Sequence, residues 1–132
     1  MLKTETTKKY YESLKNRNDL TRLQTAFFGL SNAFQREVGV RKFTYTGTIS
    51  AVVLWIWLHD INLVEKVLFF TFLVTAFELI NSSIETLSDY VQPEKSLAIK
   101  RTKDAAAAAV FIITAIAVLQ ITTDIAKILK WI

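Results

Sequence analysis

Apolar positions recur in different ways along the chain, and each pattern predicts a different element. Up to Asp19 polar and charged residues follow one another without period, which reads as a polar basic tail over residues 1–19. Then Leu20, Leu23, Ala26, Phe27, Leu30, Ala33, Phe34 and Val38 return at three- and four-residue steps, with Arg22, Gln24, Asn32, Gln35 and Arg36 falling mostly on the other side. This spacing predicts an amphipathic helix over 20–41, suited to a core or to a membrane surface. Three apolar runs follow. Residues 43–58 carry no charge and close on Trp55 and Trp57; residues 63–88 are interrupted by Glu65, Lys66, Glu78 and Glu85; residues 104–123 have no charge from Ala105 onwards. Together they predict one unit over 20–132.

A membrane-spanning helix needs roughly 20 apolar residues, with a range of about 17–25. The third run meets that length. The first does so by borrowing from its flanks, and the second keeps its early charges near its end, where long side chains can snorkel to the interface. A soluble four-helix bundle would require a polar face on each helix, and residues 105–119 have none. The predicted fold is therefore an all-α membrane protein, three transmembrane helices preceded by an amphipathic surface helix. Nine of the sixteen basic residues precede the first run, one (Lys66) lies in the first link, and four (Lys95, Lys100, Arg101, Lys103) lie around the second link. The positive-inside rule then predicts a multi-pass protein of the cytoplasmic membrane with a cytoplasmic N-terminus and second link. No secretory signal peptide is expected, because no apolar run begins before residue 43.

Composition sharpens this in two respects. The chain is 52% hydrophobic yet carries 28 formal charges (16 Lys+Arg, 12 Asp+Glu) in 132 residues, so charge and apolar surface must be segregated along it. It has no cysteine and one histidine, His59, which excludes disulfides, thiolate catalysis and Cys/His metal clusters. His59 reads as a solvated loop residue, and the five alanines of 105–109 as a close-packing surface between helices. The basic N-terminal stretch suits anionic lipid headgroups better than nucleic acid, since no base-stacking platform accompanies it.

The candidate chemistry lies at the end of the second run. At about 100° per residue, Glu78, Asn81, Ser82, Glu85 and Asp89 share one helix face. A carboxylate at membrane depth costs about 2.5–3.5 kcal/mol on insertion scales, which marks such residues as functional. By topology Lys103 and Asp104, at the start of the third span, and Glu37 and Arg41, before the first, come to the same interface. Carboxylates for Mg²⁺, a cation for phosphate and a base for a hydroxyl are what phosphoryl transfer requires. No G-x-x-x-x-G-K-[ST] sequence is present, so a phosphate-binding P-loop is excluded. Spacing alone leaves two alternatives: helix–helix glue within a membrane bundle, and a non-enzymatic membrane oligomer that conducts ions or protons or serves as a regulatory partner of a larger complex. The apolar stretch Val67–Phe77, with only Thr71 and Thr75 polar, disfavours conduction.

The string Glu78-x-x-Asn81-Ser82-x-Ile84-Glu85-x-x-x-Asp89, followed by Lys103-Asp104-x-x-x-Ala108-Ala109-Val110 and preceded by Gly29-Leu30 and Glu37-x-x-x-Arg41, resembles the signature of the small prokaryotic diacylglycerol kinases, which include the undecaprenol kinases. The resemblance spans about residues 22–123. It implies a homotrimeric, three-span kinase with shared active sites that moves the γ-phosphate of ATP to a lipid alcohol. It further implies Glu78 as general base with Asn81 supporting it, and Glu37 and Glu85 as Mg²⁺ carboxylates. Glu37, Glu85, Asp89, Glu94, Lys103 and Asp104 fall on the nucleotide side, and Arg41 and Glu78 on the lipid side. Phe43 stands where Gram-negative members carry a further glutamate, and Asn18 where they use an arginine. The general likeness is to the Gram-positive type, which favours undecaprenol over diacylglycerol as the substrate.

Overall fold

The computed structural model describes residues 18–92, 94 and 96–130, and every element in it is helical. In chain order these are α1 (Asp19–Arg36), α2 (Val38–Leu58), α3 (Ile61–Val91) and α4 (Leu97–Ile128). The described residues fall into two compact units, one ending at Arg36 and one beginning at Glu37. The basic tail expected over 1–19 lies outside the described residues except for Asn18 and Asp19.

α1 opens on Asn18, whose side-chain Oδ1 accepts from the Thr21 N–H at 3.0 Å, and it buries no residue of its own. Leu20, Leu23, Phe27 and Phe28 stay exposed along it, an apolar stripe that suits a lipid surface. The surface helix expected over 20–41 stops five residues early. Glu37 adopts an extended conformation (φ −93°, ψ 114°) and becomes the N-cap residue of α2. The local reason is composition: Val38, Gly39 and Val40 combine β-branched residues with glycine, all weak helix formers at a junction between two helices. Arg41 thereby moves from the end of the surface helix into the first turns of α2.

In the second unit α3 is the central element and packs against both α2 and α4. Its inward face is unusually polar and small, with Thr71, Thr75, Asn81 and Ser88 buried beside Leu63, Val67 and Val74. The outward faces carry the large apolar residues: Ile49, Val53, Ile56 and Trp57 on α2, Phe69, Phe72, Ile80 and Leu87 on α3, Phe111, Ile112, Ile116 and Leu119 on α4. A water-soluble domain rarely exposes so much contiguous apolar surface. In lipid that arrangement is stable, because close packing of small and hydrogen-bonding residues, not apolar burial, holds helices together. α4 is the one helix among the described residues long and apolar enough to cross a membrane on its own, and only 11% of its apolar stretch is buried, unlike the core helix of a soluble protein. α2 and α3, at about 31 and 46 Å, reach the thickness of a bilayer core, but their threonines and charges lower their apolar content.

Contacts at two levels fix the α2–α3–α4 unit. At the end where α2 stops and α3 starts, Ala51, Leu63 and Val67 form an apolar cluster, joined by Leu54, Leu58, Ile121 and Ile125. An ion pair between Lys66 of α3 and Asp124 of α4 lies at the same end. Midway along, Gly47 brings α2 close to α3: a Cβ there would lie 2.0 Å from Thr71 Oγ1 and 2.8 Å from Thr71 Cβ. One turn further on, the Thr44 and Thr75 hydroxyls are hydrogen-bonded at 3.0 Å. The α2–α3 turn is made by His59, which takes a left-handed conformation (φ 52°) and donates its N–H to Trp55 O, and by Asp60, which accepts from the Leu63 N–H at 3.0 Å.

Candidate functional site

Beyond Thr75 the inward face of α3 changes character. The next residues on it are Glu78, Asn81 and Glu85, with Ser88 after them. Glu78 and Glu85 are half-buried and Asn81 is only 8% exposed. The same periodicity that buries Val67 and Val74 against neighbouring helices carries these polar groups inward, so their position is a consequence of register. Asp89 keeps the angular position of Glu78 and Glu85 on α3 but stands exposed near the end of the helix.

The site residues fall into two groups. In the inner group, the Asn81 side-chain amide donates to Glu85 Oε1 at 3.0 Å and fixes the orientation of that carboxylate. The negative charges of Glu37 and Glu85 both reach Glu78, so the three carboxylates share one region although they come from two helices. Glu37 is available to it because the chain is extended there and its side chain does not cap α2. The Asn81 side-chain oxygen Oδ1 is buried without a hydrogen-bond donor. An unsatisfied buried acceptor costs about 1–3 kcal/mol, and one placed between two carboxylates marks a place for a donor or a cation.

The outer group is already paired. Lys103 Nζ of α4 donates to Asp89 Oδ1 of α3 at 2.7 Å, and Lys100 pairs with Asp104 one turn along α4. Glu94 is exposed in the link between α3 and α4. Asp89 lies about 16 Å beyond Glu78 along the α3 axis, and Glu85 falls between them. The residues expected at one interface thus form a line, from a half-buried carboxylate at Glu78 to an exposed ion pair at Asp89–Lys103. Arg41 sits half-buried one turn into α2 and is engaged in an interaction of its own.

Among the described residues no three His, Cys, Asp or Glu side chains close into a cage that could by itself hold a metal ion. Mg²⁺ commonly takes one or two protein carboxylates and completes its shell with phosphate oxygens and water. Glu85, a hard oxygen donor hydrogen-bonded to Asn81, and Glu37, which acts on the neighbouring Glu78, have the donor chemistry for that mode. One site residue escapes a reading based on charged motifs. Gly39, in the first turn of α2, has the Glu78 carboxylate where its own Cβ would stand. The available signal was a glycine in the opening turn of an apolar helix, where it is a poor helix former.

No curated protein matches the chain. The family description "prokaryotic diacylglycerol kinase" matches residues 24–123, from α1 to the last turns of α4 and across every residue of both groups. That match covers about three-quarters of the sequence. The chain belongs to the prokaryotic diacylglycerol kinase family, a family of membrane-bound lipid kinases.

Proposed function

We propose that the protein transfers the γ-phosphate of ATP to the hydroxyl of a lipid alcohol, undecaprenol or diacylglycerol, at the cytoplasmic surface of a bacterial membrane. In this reading α2, α3 and α4 all cross the bilayer, α1 lies on its surface, and three copies of the chain assemble with shared active sites. The observation that carries it is the inner group: Glu78 and Glu85 with the buried, half-satisfied Asn81 on the inward face of α3, and Glu37 at the start of α2 within electrostatic reach of Glu78.

Each residue then has a role. Glu78 accepts the proton of the lipid hydroxyl as its oxygen bonds to the γ-phosphorus and the bond to the β-phosphate oxygen breaks, releasing ADP. Glu85, held by Asn81, and Glu37 would hold Mg²⁺, whose contribution is to neutralise charge on the phosphate oxygens. Asp89, Glu94, Lys103 and Asp104 form the nucleotide side, with Lys103 exchanging Asp89 for phosphate when ATP binds. Arg41 stands on the lipid side. The line from Glu78 outward suits a substrate whose reacting hydroxyl is at membrane depth and whose co-substrate comes from water.

The test is direct. Full-length protein in mixed micelles is given labelled MgATP with undecaprenol, diacylglycerol or ceramide. Phosphorylation of one of the first two is expected. Folded protein that phosphorylates no lipid alcohol refutes the reading, and the preferred lipid identifies the substrate.

A further inference from the structure

The contact between α2 and Glu78 is closer than packing alone requires. A Cβ built on Gly39 would lie 1.7 Å from Glu78 Oε1, 2.7 Å from Cδ and 3.2 Å from Cγ. The glycine is not there for its backbone, since none of the described glycines has a positive φ. Nor are the glycines here uniformly crowded, because a Cβ at Gly29 would meet nothing within 4 Å. Gly39 is flanked by the fully buried Val40, and the atoms that meet the added Cβ are the flexible end of Glu78, so Glu78 is the group that must move. Glu78 therefore rests its carboxylate in the volume of an absent side chain. The first-turn N–H groups of α2 have no intrahelical acceptors, and the helix dipole makes that end favourable for an anion.

We infer that Gly39 is a positioning residue for Glu78, holding the carboxylate against the first turn of α2 in the orientation from which it meets the lipid hydroxyl. The inference rests on the role of Glu78 proposed above. A methyl group at position 39 leaves Glu78 present and ionisable but forces it into another rotamer, and a misplacement of about 1 Å at a reacting group can cost on the order of 100-fold in rate.

The experiment is a cycle of three variants of the full chain in mixed micelles: Gly39→Ala, Glu78→Asp, and both together. Gly39→Ala should lower kcat roughly 10- to 100-fold with KM for MgATP changed less than about twofold. In the Glu78→Asp background, where the carboxylate is one methylene shorter and withdraws from the new methyl, the same substitution should cost less than about threefold. Modification of Glu78 by a hydrophobic carbodiimide, mapped by peptide mass, should change several-fold in rate in Gly39→Ala. A wild-type kcat in Gly39→Ala, or an equal loss in both backgrounds, overturns the proposal. If Gly39→Ala does not fold, the double variant must fold and match Glu78→Asp; its failure to do so overturns the proposal as well. If the wild-type protein phosphorylates no lipid, the kinase reading falls, and the carbodiimide rates alone decide whether Gly39 seats Glu78.

Discussion

Replacing Asp124 by Asn isolates the ion pair that ties α3 to α4 at the end remote from the site. The Lys66 side chain is 39% exposed and that of Asp124 21%, so the pair is neither a surface contact nor a sealed one. Exposed pairs contribute about 0.2–1 kcal/mol. Removing one member of a fully buried pair costs about 3–5 kcal/mol, because the other charge is left without a partner. Solvent reaches Lys66, which screens the interaction, and a loss of about 1–2 kcal/mol follows for Asp124→Asn. For a chain of this size that corresponds to a fall of roughly 4–8 °C in Tm, read by circular dichroism in detergent micelles. Converting both positions, Lys66→Met with Asp124→Asn, removes the stranded charge and should restore most of the loss. Kinase turnover per folded molecule should change less than about twofold, since Lys66 lies about 18 Å along α3 from Glu78. A Tm within about 1 °C of wild type for Asp124→Asn, or a double variant less stable than Asp124→Asn, would refute the assignment.

Glu78→Gln keeps the shape of the side chain but not its basicity, and should reduce kcat at least about 100-fold without changing the size-exclusion profile. Gly47→Ala puts a methyl group against Thr71, including its Cβ, which cannot swing away; it should destabilise the protein by about 1–3 kcal/mol in thermal unfolding, and Thr71→Ala should relieve part of it. Lys103→Met should raise KM for MgATP more than it lowers kcat, and Asp89→Asn, by releasing Lys103, should have a smaller effect than Lys103→Met in the same assay. His59→Gly should keep or raise Tm, because glycine takes the left-handed conformation that costs other residues about 1–2 kcal/mol, whereas His59→Val should lower it.

The long elements were legible in the sequence because their signals are redundant. Nineteen uncharged residues from Ala105 to Thr123 determine α4 whatever surrounds them, and the 3.6-residue period puts Glu78, Asn81 and Glu85 on one face before any contact is known. The Asp89–Lys103 pair was also within reach, since both residues flank the second link at the same depth. Lys66 and Asp124 are 58 positions apart, and their meeting depends on the register of two helices packed over their whole length, which no local pattern encodes. The break at Glu37 was hidden by apolar periodicity that runs on to Val38. The seat at Gly39 is a property of missing atoms, and a search for charged or nucleophilic side chains passes over it.

The apolar cluster and the Lys66–Asp124 pair lie at one end of the helices, and the polar site lies at the other. Glu85 is 19 residues from Lys66, or about 29 Å along α3, so a difference of about 5° in the angle of the helix corresponds to about 2.5 Å at Glu85, the scale of one ligand bond. The spacing of the carboxylates is therefore set largely by packing at the far end of the helix, where a small difference of angle would be amplified before it reaches them.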